Sequence, residues 1–182
     1  MKTQHTMPLP KIKAMILFLC ENTEPRFLGK TKLMNLIYFF DFMHVKKYGL
    51  PVTYDTYVNL EHGPIPSAIK NLVDAVDDEV ENAILADSIV VNHDRNESIH
   101  RVIPVRELTD SEMELFSQSE IEILKSVVAR YGAANTKTIE DASHKEAPCL
   151  RTNELDRISY SLAALDADSV VSKEEIDLLM SI

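Results

Sequence analysis

Residues 31–48, TKLMNLIYFFDFMHVKKY, restrict the fold more than any other stretch of the chain. Apolar side chains fall on nearly every side of this helical pattern, and such a helix has to be enclosed by other elements. Gly49 followed by Pro51 supplies its stop. A chain of 182 residues with 45% apolar content has enough material to enclose it and form one packed core.

The flanking patterns supply the enclosing elements. Residues 10–22 carry apolar side chains at 12, 15, 16 and 19, one face of a helix, with Pro25 beyond its end. Residues 55–60, DTYVNL, read as a short strand, and Ala68, Ile69, Leu72, Val73 and Val76 return to helical spacing. SIVVNH and IHRVIPV are strand-prone runs around the polar DRNES, a hairpin. Ser117 with Glu120 and Ser172 with Glu175 are capping boxes that open helices. Asn135-Thr136 starts a short helix through Ser143, and ISYSLAAL is expected to be helical after a loop containing Pro148. The predicted fold is mostly α. It is a single-domain helical bundle around a central apolar helix, with a small antiparallel β element made of a hairpin plus one short strand.

The formal charge of −10 argues against a nucleic-acid binder, since phosphate contacts need a clustered cationic face. Its distribution is uneven. Residues 1–50 hold eight Lys or Arg against three acids, so this part is +5 and the remainder −15. The expected outcome is that these cations lie on solvated faces and beside the acidic half rather than forming a partner-steering patch. Cys20 and Cys149 form neither a CxxC pair nor a disulfide framework. The longest apolar run, residues 36–40, is far too short to cross a membrane, and the N-terminal MKTQHTMPLPK lacks the apolar middle of a secretion signal. A reducing, cytoplasmic setting is expected.

Within the central helix Asp41, His44 and Tyr48 fall on one face at i, i+3 and i+7. An Asp can hold an imidazole N–H and orient a general base or a metal ligand, but the same pairing more often satisfies buried polar groups. The order His44, His93-Asp94, Asp141 imitates an H…HD…D di-metal hydrolase, yet His93-Asp94 ends a strand and enters a turn, where packed-helix ligands are required. His5, His93 and His100 are read as solvent-facing or turn residues, and no metal or other cofactor is expected. Phosphate-cradling loops, HExxH, GxSxG and EF-hand patterns are absent. The stretch YVNLEHGPIPS sets Glu61 and His62 before Gly63, Pro64 and Pro66. The glycine and prolines make a turn, with Pro66 suited to the first turn of the next helix. That logic leaves Glu61 and His62 open between strand-end polar groups and a site.

The segment KLMNLIYFFDFMHVKKYGLPVTYDTYVNLEHGPIPSAIKNL resembles the Panacea domain family, the SocA-like antitoxins. Lys32, Leu33, Tyr38, Phe39, Asp41 and His44 match its helix, Gly49, Thr53 and Tyr57 its link and strand, and Gly63-Pro64-Ile65-Pro66 its turn. A second region matches at Tyr131-Gly132 and at Ser143-His144-x-Glu146. The family's usual following aromatic is replaced here by Ala147-Pro148-Cys149, and the chain has no Trp. The resemblance is strongest over residues 10–150, within one domain spanning 1–182 whose residues 151–182 form a helical extension.

The resemblance implies a non-enzymatic binding protein of a bacterial or phage toxin–antitoxin pair. Members neutralise varied toxins by direct contact, small alarmone synthetases among them, and some present a toxin to a protease or its unfoldase. Others carry a DNA-binding helix-turn-helix, which this chain is expected to lack. The implied partner is a toxin encoded by the adjacent gene, with no nucleic acid and no membrane, and homodimerisation is left open. Candidate partner-binding or motif residues are Asp41, His44, Tyr57, Glu61, His62, Gly63, Pro64, Pro66, His144 and, on the hairpin, Arg95 and Glu97. The alternative is an all-α metal-dependent hydrolase using Asp41, His44, His62 and His144.

Overall fold

In the computed structural model, residues 5–93 and 98–182 are described. The central helix, α2, spans Lys30–Tyr48, and fourteen of its 19 residues are buried. Packed against it are α1 (Leu9–Glu21), α5 (Gln118–Tyr131) and α6 (Thr136–His144), together with the strands described below. Gly49 ends α2 in the left-handed conformation at φ 83°, its N–H donating to the Val45 carbonyl, as the sequence requires. The aromatic side chains of α2 lie at the centre of the core: Tyr38 stacks on Phe42 at 4.4 Å, and Phe39 meets Tyr131 at 4.4 Å. The architecture is mostly helical with a small antiparallel β component.

That component is larger than the sequence suggests. β1 (Tyr57–Leu60) is the middle strand of a three-stranded sheet, flanked by β2 (Gly63–Pro66) and β5 (Arg157–Ile158). Gly63–Pro66, read from sequence as the turn itself, is therefore a strand, and the turn is the two-residue Glu61-His62 between Leu60 and Gly63. Two prolines are tolerated because β2 lies at the sheet edge and they alternate with Gly63 and Ile65. Pro66 sits just before α3 (Ser67–Asp77) rather than in its first turn. Asp55 caps that helix from a distance, its carboxylate accepting from the N–H groups of Ala68 and Ile69 at 2.9 Å each.

A second sheet is the expected hairpin, β3 (Ile89–His93) with β4 (His100–Pro104), in a register that pairs His93 with His100. The helix expected over ISYSLAAL is instead β5 followed by a 3-10 helix, Tyr160–Leu165. Ile158 pairs with Tyr57, so tertiary pairing overrides a local helical pattern there. The capping boxes open α5 and α8 (Lys173–Ser181), and a third, Thr109 with Glu112, opens the short α4 (Asp110–Met113). A short α7 (Ala147–Leu150) follows α6. The segment after Leu150 is a strand contributor as well as a helical one, and it places Ile158, Ala163 and Ile176 in the core.

Candidate functional site

The polar stripe on α2 grips the link that follows it. Asp41 is wholly buried, and its Oδ1 accepts from the N–H groups of Val52 at 2.7 Å and Thr53 at 2.8 Å. Its Oδ2 accepts from the Thr53 hydroxyl and, at 2.6 Å, from the Tyr57 hydroxyl. Burial raises the Asp41 carboxyl above its ordinary range, against the pull of these four donors. His44 does not touch this carboxylate. Its Nδ1 donates to the Leu50 carbonyl at 2.6 Å, and its Nε2 stands 3.0 Å from Ser119 Oγ. Asp41 and His44 thus hold the same link from two points, Asp41 through Val52 and Thr53 and His44 through Leu50. Tyr48, third on the stripe, bonds Glu122 at 2.5 Å on the surface.

The Glu61-His62 turn is likewise held through its backbone. Asn35 Nδ2 donates to the His62 carbonyl at 3.0 Å, and His144 Nε2 donates to the Glu61 carbonyl at 3.0 Å. Gly63 lies against Asn35 at φ 114°, where a Cβ would fall 2.5 Å from Asn35 Oδ1. Glycine is therefore required twice over, by backbone conformation and by space. The side chains of Glu61 and His62 are exposed, and His62 Nδ1 lies 3.7 Å from Glu140 Oε1. His62 lines a cleft of about 530 Å³ with Lys30, Lys32, His100, Thr136 and Glu140.

A third polar centre was not singled out from sequence. Lys46, 4% exposed, reaches Glu146 at 2.7 Å, Asp166 at 3.1 Å and Asp168 at 3.2 Å, and Tyr38 donates to the other oxygen of Glu146 at 2.8 Å. Burial raises the Glu146 carboxyl against the opposing pull of Lys46. Burial also disfavours the Lys46 ammonium, but Glu146 and Asp166 outweigh it and leave its pKa raised. The available signal was a cation inside an apolar helix, which demands a counter-charge. Lys32 differs: wholly buried, it donates to the Gly132 carbonyl at 3.0 Å and the Ala134 carbonyl, and burial lowers its pKa to about 8.

The structure thus distributes the sequence candidates. Asp41 and Tyr57 meet in one buried contact, whereas His44, His62 and His144 each have other partners. Pro64 and Pro66 are buried in β2, and Arg95 and Glu97 lie outside the described residues. Among the described residues, the metal-capable group is not the hydrolase set but Asp77, His93 and His100. His93 and His100, read from sequence as solvent-facing or turn residues, keep about half their side-chain surface exposed yet converge on Asp77. The described helices include none long and apolar enough to cross a membrane.

Neither the curated proteins nor the solved structures contain a significant match. The family model for the SocA-like antitoxin, Panacea domain, matches residues 33–149. That span includes most of α2 with Asp41 and His44, the β1–β2 turn, and His144 of α6, which holds it. On this match, which covers well over half the sequence, the chain belongs to the SocA-like Panacea family of antitoxin domains.

Proposed function

We propose that this chain is a non-enzymatic antitoxin that neutralises a cognate toxin by direct contact, the toxin being the product of the adjacent gene. The family match over residues 33–149 carries the reading. The disposition of the motif supports it: Asp41, His44 and His144 bond to the link and the turn of their own chain, as parts of a scaffold do. The hydrolase alternative has no comparable support, because its four residues engage separate partners.

Recognition is then assigned to surfaces outside the motif. The hairpin connection carrying Arg95 and Glu97 and the acidic second half are the favoured regions, since charge on loops can vary without disturbing a core. Handing the toxin to a protease or its unfoldase is a further step of the same proposal, in a cytoplasmic setting. The deciding experiment is co-expression with the neighbouring gene, read by growth rescue and co-purification, beside thermal melts of each variant. Charge reversal at Arg95 or Glu97 is expected to weaken pairing with an unchanged melt. Normal pairing in all hairpin variants, with pairing lost in a well-folded His62 variant, would move the interface to the β1–β2 turn. Failure of the neighbouring product to bind or to be neutralised would overturn the reading.

A further inference from the structure

We propose that Asp77, His93 and His100 form a site for a zinc-class divalent cation at the loop end of the β3–β4 hairpin, beside the C-terminus of α3. The three come from separate elements, and one ligand atom of each lies within 4.8 Å of the others. Asp77 is the last residue of α3 and its side chain is 5% exposed. His93 and His100 are register partners on adjacent strands, so their side chains share one face, and their rings lie 4.2 Å apart. Two imidazoles and one carboxylate make a donor set suited to zinc, cobalt, nickel or copper rather than to magnesium or calcium.

The surroundings of the carboxylate show which of its oxygens faces which partner. Asp77 Oδ1 is buried, and His93 Nε2 stands 2.6 Å from it, an ion pair when the imidazole is protonated. The other oxygen is already held: Oδ2 lies 2.6 Å from Lys30 Nζ and 2.9 Å from His100 Nδ1. Lys30 is also anchored by Asp74 at 2.6 Å, so it acts as the outer partner that fixes the carboxylate and aims Oδ1 at the histidines. Ligand atoms around a tetrahedral zinc stand about 3.3 Å apart, given bonds of about 2.0–2.2 Å. Reaching that spacing requires Oδ1 and Nε2 to separate slightly and His100 to exchange Oδ2 for the ion. The half-exposed imidazoles leave an open coordination position for water, and they give the ion a route in. Bound metal ties the ends of both strands to α3, and this inference is independent of the antitoxin reading.

The test is calorimetric titration of the untagged, chelator-treated chain with zinc chloride, followed by cobalt(II) with its visible absorption as a separate readout. One saturable equivalent of zinc and a cobalt spectrum of four- or five-coordinate type with imidazole ligands are expected. His93→Gln and His100→Gln should each weaken zinc binding at least tenfold, and the double variant should abolish it, with melting curves of the metal-free proteins unchanged. His62→Gln should bind as the parent does. Absence of a stoichiometric event in the parent, or binding retained in the double variant, would overturn the site. If the metal-free double variant is misfolded by circular dichroism, the cobalt spectrum of the parent decides: an all-oxygen, octahedral spectrum defeats the proposal.

Discussion

Asp41 satisfies four donors with two oxygens, and all four belong to the link and strand after the helix that carries it. Asp41→Ala strands two backbone N–H groups and the Thr53 hydroxyl in the interior, while the Tyr57 hydroxyl keeps the Ile37 carbonyl at 3.2 Å. The loss is on the order of 3 kcal/mol, given about 1–3 for each unsatisfied group and partial rescue by water. Urea denaturation should show it, and a variant that melts like the parent while losing toxin neutralisation would make Asp41 a recognition residue. Lys32 makes the opposite kind of contribution, because burial lowers its pKa to about 8 from an ordinary value of 10.5. Between those values the unfolded chain holds a proton that the folded chain has lost, so stability rises with pH in that window. The buried thiols of Cys20 and Cys149, pushed up to about 12 from 9.0, reverse the trend above pH 9, where only the unfolded chain ionises. The expected signature is a rise in unfolding free energy from pH 8 to 9 that is absent in Lys32→Met. A parent curve parallel to that of Lys32→Met would show that Lys32 stays charged in the fold.

The β1–β2 hairpin shows how an element can be legible in composition and misread in role. Gly63 at φ 114° lies against Asn35, so Gly63→Ala adds both backbone strain and a Cβ overlap, and Gly63→Val adds more. We expect Gly63→Ala to lower the melting temperature measurably and Gly63→Val to leave the chain largely insoluble. Pairing Gly63→Ala with Asn35→Ala, which vacates the overlapped space, should recover part of the loss, and no recovery would assign the whole cost to φ. The sequence announced a special backbone here but located the turn two residues late, because proline-rich stretches are seldom strands and only an edge position next to β1 makes one acceptable. Helices with their own signals were readable: the apolar girth of α2 and the capping boxes of α5 and α8 act locally. β5 was not readable, because its two residues are a strand only through pairing with Tyr57 and Val58 far away in sequence. The site followed the same division. Asp41 and His44 were visible as polar residues in an apolar helix, whereas their true partners, and the meeting of His93 and His100 with Asp77, depend on tertiary placement.

Among the described residues, several cations of the first 50 residues, a part that carries +5 against −15 for the rest, pair with acids of later elements. Lys11 pairs with Glu120, Lys13 with Asp87, Lys30 with Asp74 and Asp77, Lys46 with Glu146 and Lys47 with Glu122, each joining the early helices to later elements. These pairs are unequal, and burial decides which of them matter. Lys47 and Glu122 are both nearly half exposed, so water and salt screen them, and such pairs contribute little to stability. Lys46 is 4% exposed among three carboxylates, two of them themselves mostly buried, so its removal leaves Glu146 and Asp166 without their cation. Breaking a buried pair from one side costs about 3–5 kcal/mol, because the remaining charge stays desolvated. Lys46→Met should therefore be severely destabilised, and Lys47→Met should be nearly neutral. Raising the salt to about 1 M, where the screening length falls to about 3 Å, should erase any Lys47 effect and leave most of the Lys46 effect in place. Adding Glu146→Gln to Lys46→Met should restore part of the stability by removing one stranded charge. Equal, salt-sensitive losses at Lys46 and Lys47 would instead mean that the two halves are held by general charge attraction rather than by this buried contact.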